Sequence, residues 1–176
     1  MSSRCMPLLA FLISGLYAQT PCLSLSSAAV AADGTASLEL SLRSASEMLQ
    51  PASLQWTLQL PSSGISTLTV EDGPAATAAG KTVICGGSAP TYTCLAVAAN
   101  AKTIANGVIA KVAVVLTHDV TAAVIAITNP VGASADGYFM SISAGSGTLV
   151  RGSVSPDRRL RPPLKRIAGS RCFFEQ

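Results

Sequence analysis

Two stretches of the sequence alternate between apolar and polar residues, and this period of two is the strongest constraint on the fold. In the segment 35–42 the apolar positions are Leu38, Leu40 and Leu42. In the segment 53–60, leucines and Trp56 alternate with serine, glutamine and threonine. Because successive side chains of a strand point to opposite faces, each stretch predicts a β-strand with one buried face.

The rest of the middle of the chain also favours strands. The segment 108–116 is apolar at nearly every position except Lys111, which predicts a central strand covered on both faces for most of its length. Weaker candidates occupy 23–30, 65–70, 81–85, 91–97, 123–128, 138–143 and 147–154, and turn pairs such as Asn129-Pro130 and Asp136-Gly137 separate them. The pattern predicts an all-β chain folded as a single β-sandwich of about nine strands with jelly-roll or Greek-key topology.

The composition limits the class of protein. A length of 176 residues allows one domain of ordinary size. Charged residues make up 12% and aromatic residues 5% of the chain. This is too little charge for a coiled coil, a disordered chain or a basic protein that coats nucleic acid. We therefore expect one globular domain and no nucleic-acid partner.

The two ends of the chain differ from its middle. Residues 1–18 contain Arg4 followed by an uncharged, mostly apolar run that is too short to span a bilayer, which predicts a signal peptide, a secreted protein and no transmembrane span. Residues 157–176 are basic and contain Pro162-Pro163, which predicts a flexible tail. The tail is an inert linker, a chain end altered by a reading-frame change, or a segment attracted to anionic polymers or lipids. The expected domain spans 19–156.

The cysteines fit an oxidising compartment. Removal of the signal peptide leaves Cys22, Cys85, Cys94 and Cys172. The segment 82–94 has a strand–turn–strand pattern that predicts a disulfide between Cys85 and Cys94, and it leaves open whether the other two cysteines pair. The spacing does not suit zinc, and the single histidine is distant in sequence, so we expect no metal site.

The order of these features resembles that of bacterial cohesin domains over residues 23–150. The resemblance rests on Ala-Asp-Gly-Thr at 32–35 before an alternating strand, on the segments 54–58 and 65–70, and on the turn into a long strand at 104–114. It implies a sandwich without cofactor or catalysis that docks dockerin modules in extracellular polysaccharide-degrading assemblies. The alternative is a carbohydrate-binding module that binds polysaccharide directly.

Catalytic signals are weak. His118 and Asp119 lie between two strand candidates, where a solvated turn is expected rather than an acid–base pair. Glu71 and Asp72 are adjacent on a strand and therefore point to opposite faces. The glycine-rich segment 73–82 has the wrong spacing for a phosphate-binding loop. We expect no catalytic residues, and hence no enzyme.

The strand at 53–60 supplies the candidate binding face. Trp56 shares the phase of the neighbouring leucines, which favours a place in the core over a platform for sugar stacking. The opposite face carries Gln55, Thr57 and Gln59, which suit hydrogen bonding to a ligand or contact with a protein partner.

Overall fold

The computed structural model describes residues 20–151. The expected signal peptide 1–18 and basic tail 157–176 lie outside the described residues, as do both ends of the expected domain 19–156. The described strands are β1 (Cys22–Leu25), β2 (Ala28–Val30), β3 (Thr35–Arg43), β4 (Ser53–Gln59), β5 (Ile65–Asp72), β6 (Thr82–Ser88), β7 (Thr91–Val97), β8 (Gly107–Leu116), β9 (Ala122–Ala133), β10 (Phe139–Ser141), β11 (Ser143–Ala144) and β12 (Gly147–Arg151). A 3-10 turn (Glu47–Leu49) and one short helix, α1 (Pro74–Ala78), complete the described elements.

The strands form two sheets that enclose one core. The order of the five-stranded sheet is β11-β1-β3-β8-β5, and that of the seven-stranded sheet is β2-β12-β9-β4-β7-β6, with β10 added beside β9. From β3 to β6 each strand lies in the opposite sheet from the one before it, as in jelly-roll and Greek-key sandwiches. The predicted all-β sandwich is confirmed, and nine of the twelve described strands have four or more residues.

The alternating stretches place their apolar residues in the core, as predicted. Leu38, Leu40 and Leu42 of β3 are fully buried. Trp56 and its neighbouring leucines on β4 pack in the same cluster. Burial of one face of each strand is the main source of stability, because each large apolar side chain contributes about 1.5–3 kcal/mol when it leaves water.

The prediction that the segment 108–116 is covered on both faces was wrong. Strand β8 is central in its sheet, but Lys111 and Ala113 are exposed and Val115 is only half-buried. Since residues 20–151 form a sandwich of two layers, none of their elements packs on the outer face of β8. The apolar run here includes small side chains that tolerate water and does not mark a third layer.

The segment 23–30, predicted as one strand, divides between the two sheets. Strand β1 pairs with β3, whereas β2 pairs with β12. Between them, the Ser26 hydroxyl accepts a hydrogen bond from the Glu39 backbone N–H, and the Ser27 hydroxyl accepts one from that of Thr148. These serine hydroxyls thus accept hydrogen bonds from backbone N–H groups at the point where the chain crosses from one sheet to the other.

The turn predicted at Asn129-Pro130 is a bulge inside strand β9. The register between β4 and β9 shifts between Gln55 and Thr57, opposite this pair. Asn129 adopts a φ of 49°, a conformation that asparagine tolerates better than most residues. Proline has no N–H to donate and is therefore tolerated at a bulge. The strand continues to Ala133 and is twice as long as the predicted segment 123–128.

Candidate binding surface

The candidate site lies on the outer surface of the seven-stranded sheet, formed by β9, β4, β7 and β6; we call this surface the β4 face. The strand pairing aligns its side chains in rows across the sheet. One row consists of Val131, Gln55, Leu95 and Ile84. The row next to it consists of Thr128, Thr57, Thr93 and Gly86. Directly paired residues have side chains on the same face, so each row forms a strip of continuous surface.

The three residues predicted for the binding face differ in accessibility. Gln55 is exposed, and within residues 20–151 no hydrogen bond occupies its side-chain amide. Gln59 is half-buried, and its side-chain oxygen accepts a hydrogen bond from the Thr91 hydroxyl at 3.1 Å. Thr57 is only 7% exposed, and its hydroxyl lies 3.4 Å from that of Thr93. Thr57 pairs with Thr93 on β7 and Thr128 on β9 and is buried, so its expected place on an exposed face was wrong.

Two apolar side chains on the β4 face were missed in the sequence. Ile84 is 57% exposed and Leu95 is 37% exposed. Both lie in the same row as Gln55, so an exposed amide and two exposed aliphatic groups form one strip. The alternation of side chains along β7 could have revealed Leu95. Its neighbours Cys94 and Ala96 are both buried, so Leu95 must point outward.

The β4 face carries no formal charge. Its four strands, β9, β4, β7 and β6, contain no Asp, Glu, Lys or Arg. The outer face of the other sheet is different, since Glu39, Lys111 and Glu71 lie side by side in one row across β3, β8 and β5. The two broad surfaces of the sandwich therefore offer different chemistry to a partner.

The predicted disulfide lies at the edge of this sheet. Cys85 on β6 and Cys94 on β7 are directly paired and joined by a disulfide, with their Cα atoms 4.0 Å apart. Cys94 lies opposite Trp56, and both point into the core. Trp56 is fully buried, as expected, and cannot serve as a platform for sugar. Cys22 is disulfide-bonded as well, whereas Cys172 lies outside the described residues.

A buried lysine anchors the loop next to the edge strand β6. The side chain of Lys81 is 2% exposed, and its ammonium group donates hydrogen bonds to the backbone and side-chain oxygens of Asn100 at 2.8 and 2.7 Å. Burial lowers the pKa of Lys81 because it penalises the charged form. The contact ties the start of β6 to the loop that precedes β8.

The residues considered for catalysis do not converge. His118 and Asp119 lie in an exposed turn, as expected. The Asp72 carboxylate accepts a hydrogen bond from the Val83 backbone N–H at 2.6 Å and so caps the edge of β6. The backbone and hydroxyl groups of Thr35 donate to Asp33 and lower the pKa of that carboxyl, which stabilises a local turn. Residues 20–151 contain no group of three or more His, Cys, Asp or Glu residues placed to hold a metal ion.

The fold matches solved structures of one kind. The sixth cohesin of scaffoldin B from Acetivibrio cellulolyticus, solved in complex with a Cel5 dockerin, superposes with a TM-score of 0.66 at 12% identity and covers 76% of this chain and 99% of its own. A cohesin of the OlpC–Doc435 complex from Clostridium thermocellum gives 0.65 at 16% identity over 74% and 92% of the two chains. The chain has the fold of cohesin domains.

The cohesin fold is not restricted to cellulosomes among these neighbours. A non-cellulosomal cohesin from the archaeon Archaeoglobus fulgidus superposes with a TM-score of 0.61 at 14% identity, covering 76% of this chain and 92% of its own. No family model and no curated protein matches the sequence. Among the described residues, no helix is both long and apolar enough to span a membrane.

Proposed function

We propose that this protein is a secreted, non-catalytic cohesin-like module that docks a dockerin-like protein partner on the β4 face and serves extracellular polysaccharide breakdown. The observation that carries the proposal is the strip of Gln55, Leu95 and Ile84 on a face without charge. Cohesins of the same fold were solved in complexes with dockerins, which supports a partner of that kind.

The chemistry of the β4 face suits a protein interface. The centres of such interfaces are depleted of charged residues, because a charge that loses water without a partner costs free energy. Ile84 and Leu95 offer apolar area that a partner would remove from water. The free amide of Gln55 can donate and accept hydrogen bonds, which would fix the orientation of the partner. The opposite face, with its row of Glu39, Lys111 and Glu71, suits a solvated surface better.

Secretion is supported by two features of different origin. The segment 1–18 has the charge and hydrophobic length of a signal peptide. The disulfide between Cys85 and Cys94, and the disulfide-bonded state of Cys22, are typical of proteins that fold in an oxidising compartment.

Calorimetric titration tests the docking. The full chain is titrated, in calcium, with each dockerin module that is encoded in the same genome. Leu95→Asp places a carboxylate in the uncharged strip, whereas Thr69→Asp places one at an exposed position on the outer face of the opposite sheet and is the matched control. We expect Leu95→Asp to weaken binding by roughly 2 kcal/mol or more, about 30-fold, and Thr69→Asp to leave it unchanged.

The opposite ranking of the two variants would assign docking to the five-stranded sheet and contradict the proposed surface. Absence of binding to every dockerin would contradict the proposed partner. Trp56 emission shows that each variant is folded, since this side chain is buried in the wild type.

A further inference from the structure

The hairpin between β9 and β10 displays two aromatic rings to solvent. Tyr138 is 74% exposed and Phe139 is 72% exposed. Residues 20–151 contain only two other aromatic side chains, the buried Trp56 and the half-buried Tyr92. A chain with so few aromatic residues thus places half of those described here at one tip, where they contribute little to the core. Both rings are therefore accessible to a ligand.

The hairpin is held in a defined shape. The Ser134 backbone N–H donates to the Tyr138 carbonyl oxygen at 2.8 Å, and the Tyr138 N–H donates to the Ser134 hydroxyl at 3.1 Å. The Gly137 N–H donates to the Ser134 carbonyl oxygen at 3.0 Å, and Gly137 adopts a φ of 82° that favours glycine. The backbone that carries the two rings is therefore held in place before a ligand arrives, which lowers the entropic cost of binding.

Small side chains lie next to Phe139 in the sheet, and two of the nearby residues are serines. Phe139 pairs with Ala133, which in turn pairs with Ser53 on β4. Ser141 follows two residues later on the same face of the sheet and pairs with Val131. None of these side chains is large enough to cover the ring. The ring of Phe139 therefore projects from the corner of the β4 face, with Ser141 two residues along its own strand and Ser53 two strands away.

This combination favours a sugar over a protein anchor. An aromatic hot spot for a protein lies near the centre of an interface, where surrounding contacts exclude water. Phe139 lies at a corner instead, on the projecting hairpin, where the face of its ring can stack against the C–H groups of a sugar. The hydroxyls of Ser53 and Ser141 can hydrogen-bond to sugar hydroxyls. Asp136 on the same turn adds a carboxylate that accepts hydrogen bonds and repels acidic polymers.

We propose that the hairpin of Tyr138 and Phe139 binds a neutral polysaccharide, with Phe139 as the ring on which a sugar unit stacks. Phe139 lies in the row of Ala133 and Ser53, next to the row that contains Gln55, Leu95 and Ile84, so the sugar site adjoins the proposed docking strip but uses different residues.

Affinity electrophoresis of the full chain tests this site. Native gels contain soluble xylan, hydroxyethyl cellulose or glucomannan, with dextran as a polymer of different linkage. We expect retardation by at least one of the first three polymers. Phe139→Ala should weaken binding by roughly tenfold or more, and Phe139→Leu should weaken it equally, because leucine keeps the apolar volume but lacks the flat ring. Phe139→Trp should retain binding.

Val124→Ala is the control, because this residue is 54% exposed on the same sheet away from the hairpin. Retardation that is equal in wild type and Phe139→Ala would overturn the proposal, and so would migration of the wild type unaffected by any of the three polymers. Dockerin titration of the same variants separates the two proposals, since loss of sugar binding leaves the strip around Gln55 intact.

Discussion

Removal of the disulfide between Cys85 and Cys94 is expected to destabilise the protein by about 3.4 kcal/mol. The two cysteines are nine residues apart in sequence. In the chain-entropy model, opening a loop of this size increases the conformational entropy of the unfolded chain and stabilises it by about 2.6 kcal/mol at 25 °C. The Cys94 sulfur is also buried opposite Trp56, and its loss on substitution by alanine removes about 0.8 kcal/mol of apolar burial.

The assay is urea unfolding of the double variant Cys85→Ala/Cys94→Ala, followed by Trp56 emission. Chemical reduction of the wild type cannot replace this double variant, because it would also break the disulfide of Cys22. The double variant Cys85→Val/Cys94→Val keeps an apolar group at both positions and should lose only the loop contribution, about 2.6 kcal/mol. The dependence of the free energy of unfolding on the urea concentration should become steeper, because the unfolded chain exposes more surface without the disulfide. A loss below about 1 kcal/mol for the alanine variant, with an unchanged slope, would refute the loop-closure argument.

Three further predictions concern buried groups. Within residues 20–151 the indole N–H of Trp56 has no hydrogen-bond partner, so Trp56→Phe should cost less than about 1.5 kcal/mol in urea unfolding, whereas Trp56→Ala should cost about 3–5 kcal/mol. Burial lowers the pKa of Lys81 in the folded protein, so the unfolded chain binds the proton of this side chain more tightly. The free energy of unfolding of the wild type, relative to that of Lys81→Met, should therefore rise as the pH increases towards about 10.4, the ordinary pKa of lysine. An equal pH dependence of the two proteins would contradict this. A Cβ atom on Gly73 would lie 2.5 Å from the Val108 carbonyl oxygen, so Gly73→Ala should lower the free energy of unfolding by roughly 1–3 kcal/mol, while Gly86→Ala, which meets nothing within 4 Å, should have little effect.

The fold could be predicted where one face of a strand is buried. On β3 and β4 the period of two assigns every large apolar residue to the core, and the structure confirms this for Leu38 and Trp56. The alternation of apolar and polar residues does not predict burial where burial depends on whether another layer packs on the outer face of the sheet. Nothing in the segment 108–116 indicates that the sandwich has only two layers, so the exposure of Ala113 could not be inferred from the strand alone.

The candidate site was harder to predict because it depends on strand order. Because Trp56 points into the core, the adjacent Gln55 can be predicted to point outward. The residues beside Gln55 are known only once β4 is seen to pair with β7 and β9. That pairing brings Leu95 beside Gln55 and covers Thr57 on both sides. Phe139 lies on the same surface because β10 pairs with the part of β9 that follows the bulge at Asn129-Pro130. A local sequence pattern cannot reveal this pairing.

The absence of charged residues from β9, β4, β7 and β6 has a consequence for where this protein can work. Mobile ions weaken contacts between exposed charges, but they leave the burial of aliphatic groups largely intact. A complex held on such a surface would persist in brine as well as in fresh water. Its association would also lack long-range steering, so a partner tethered nearby would be captured far more readily than one that diffuses freely.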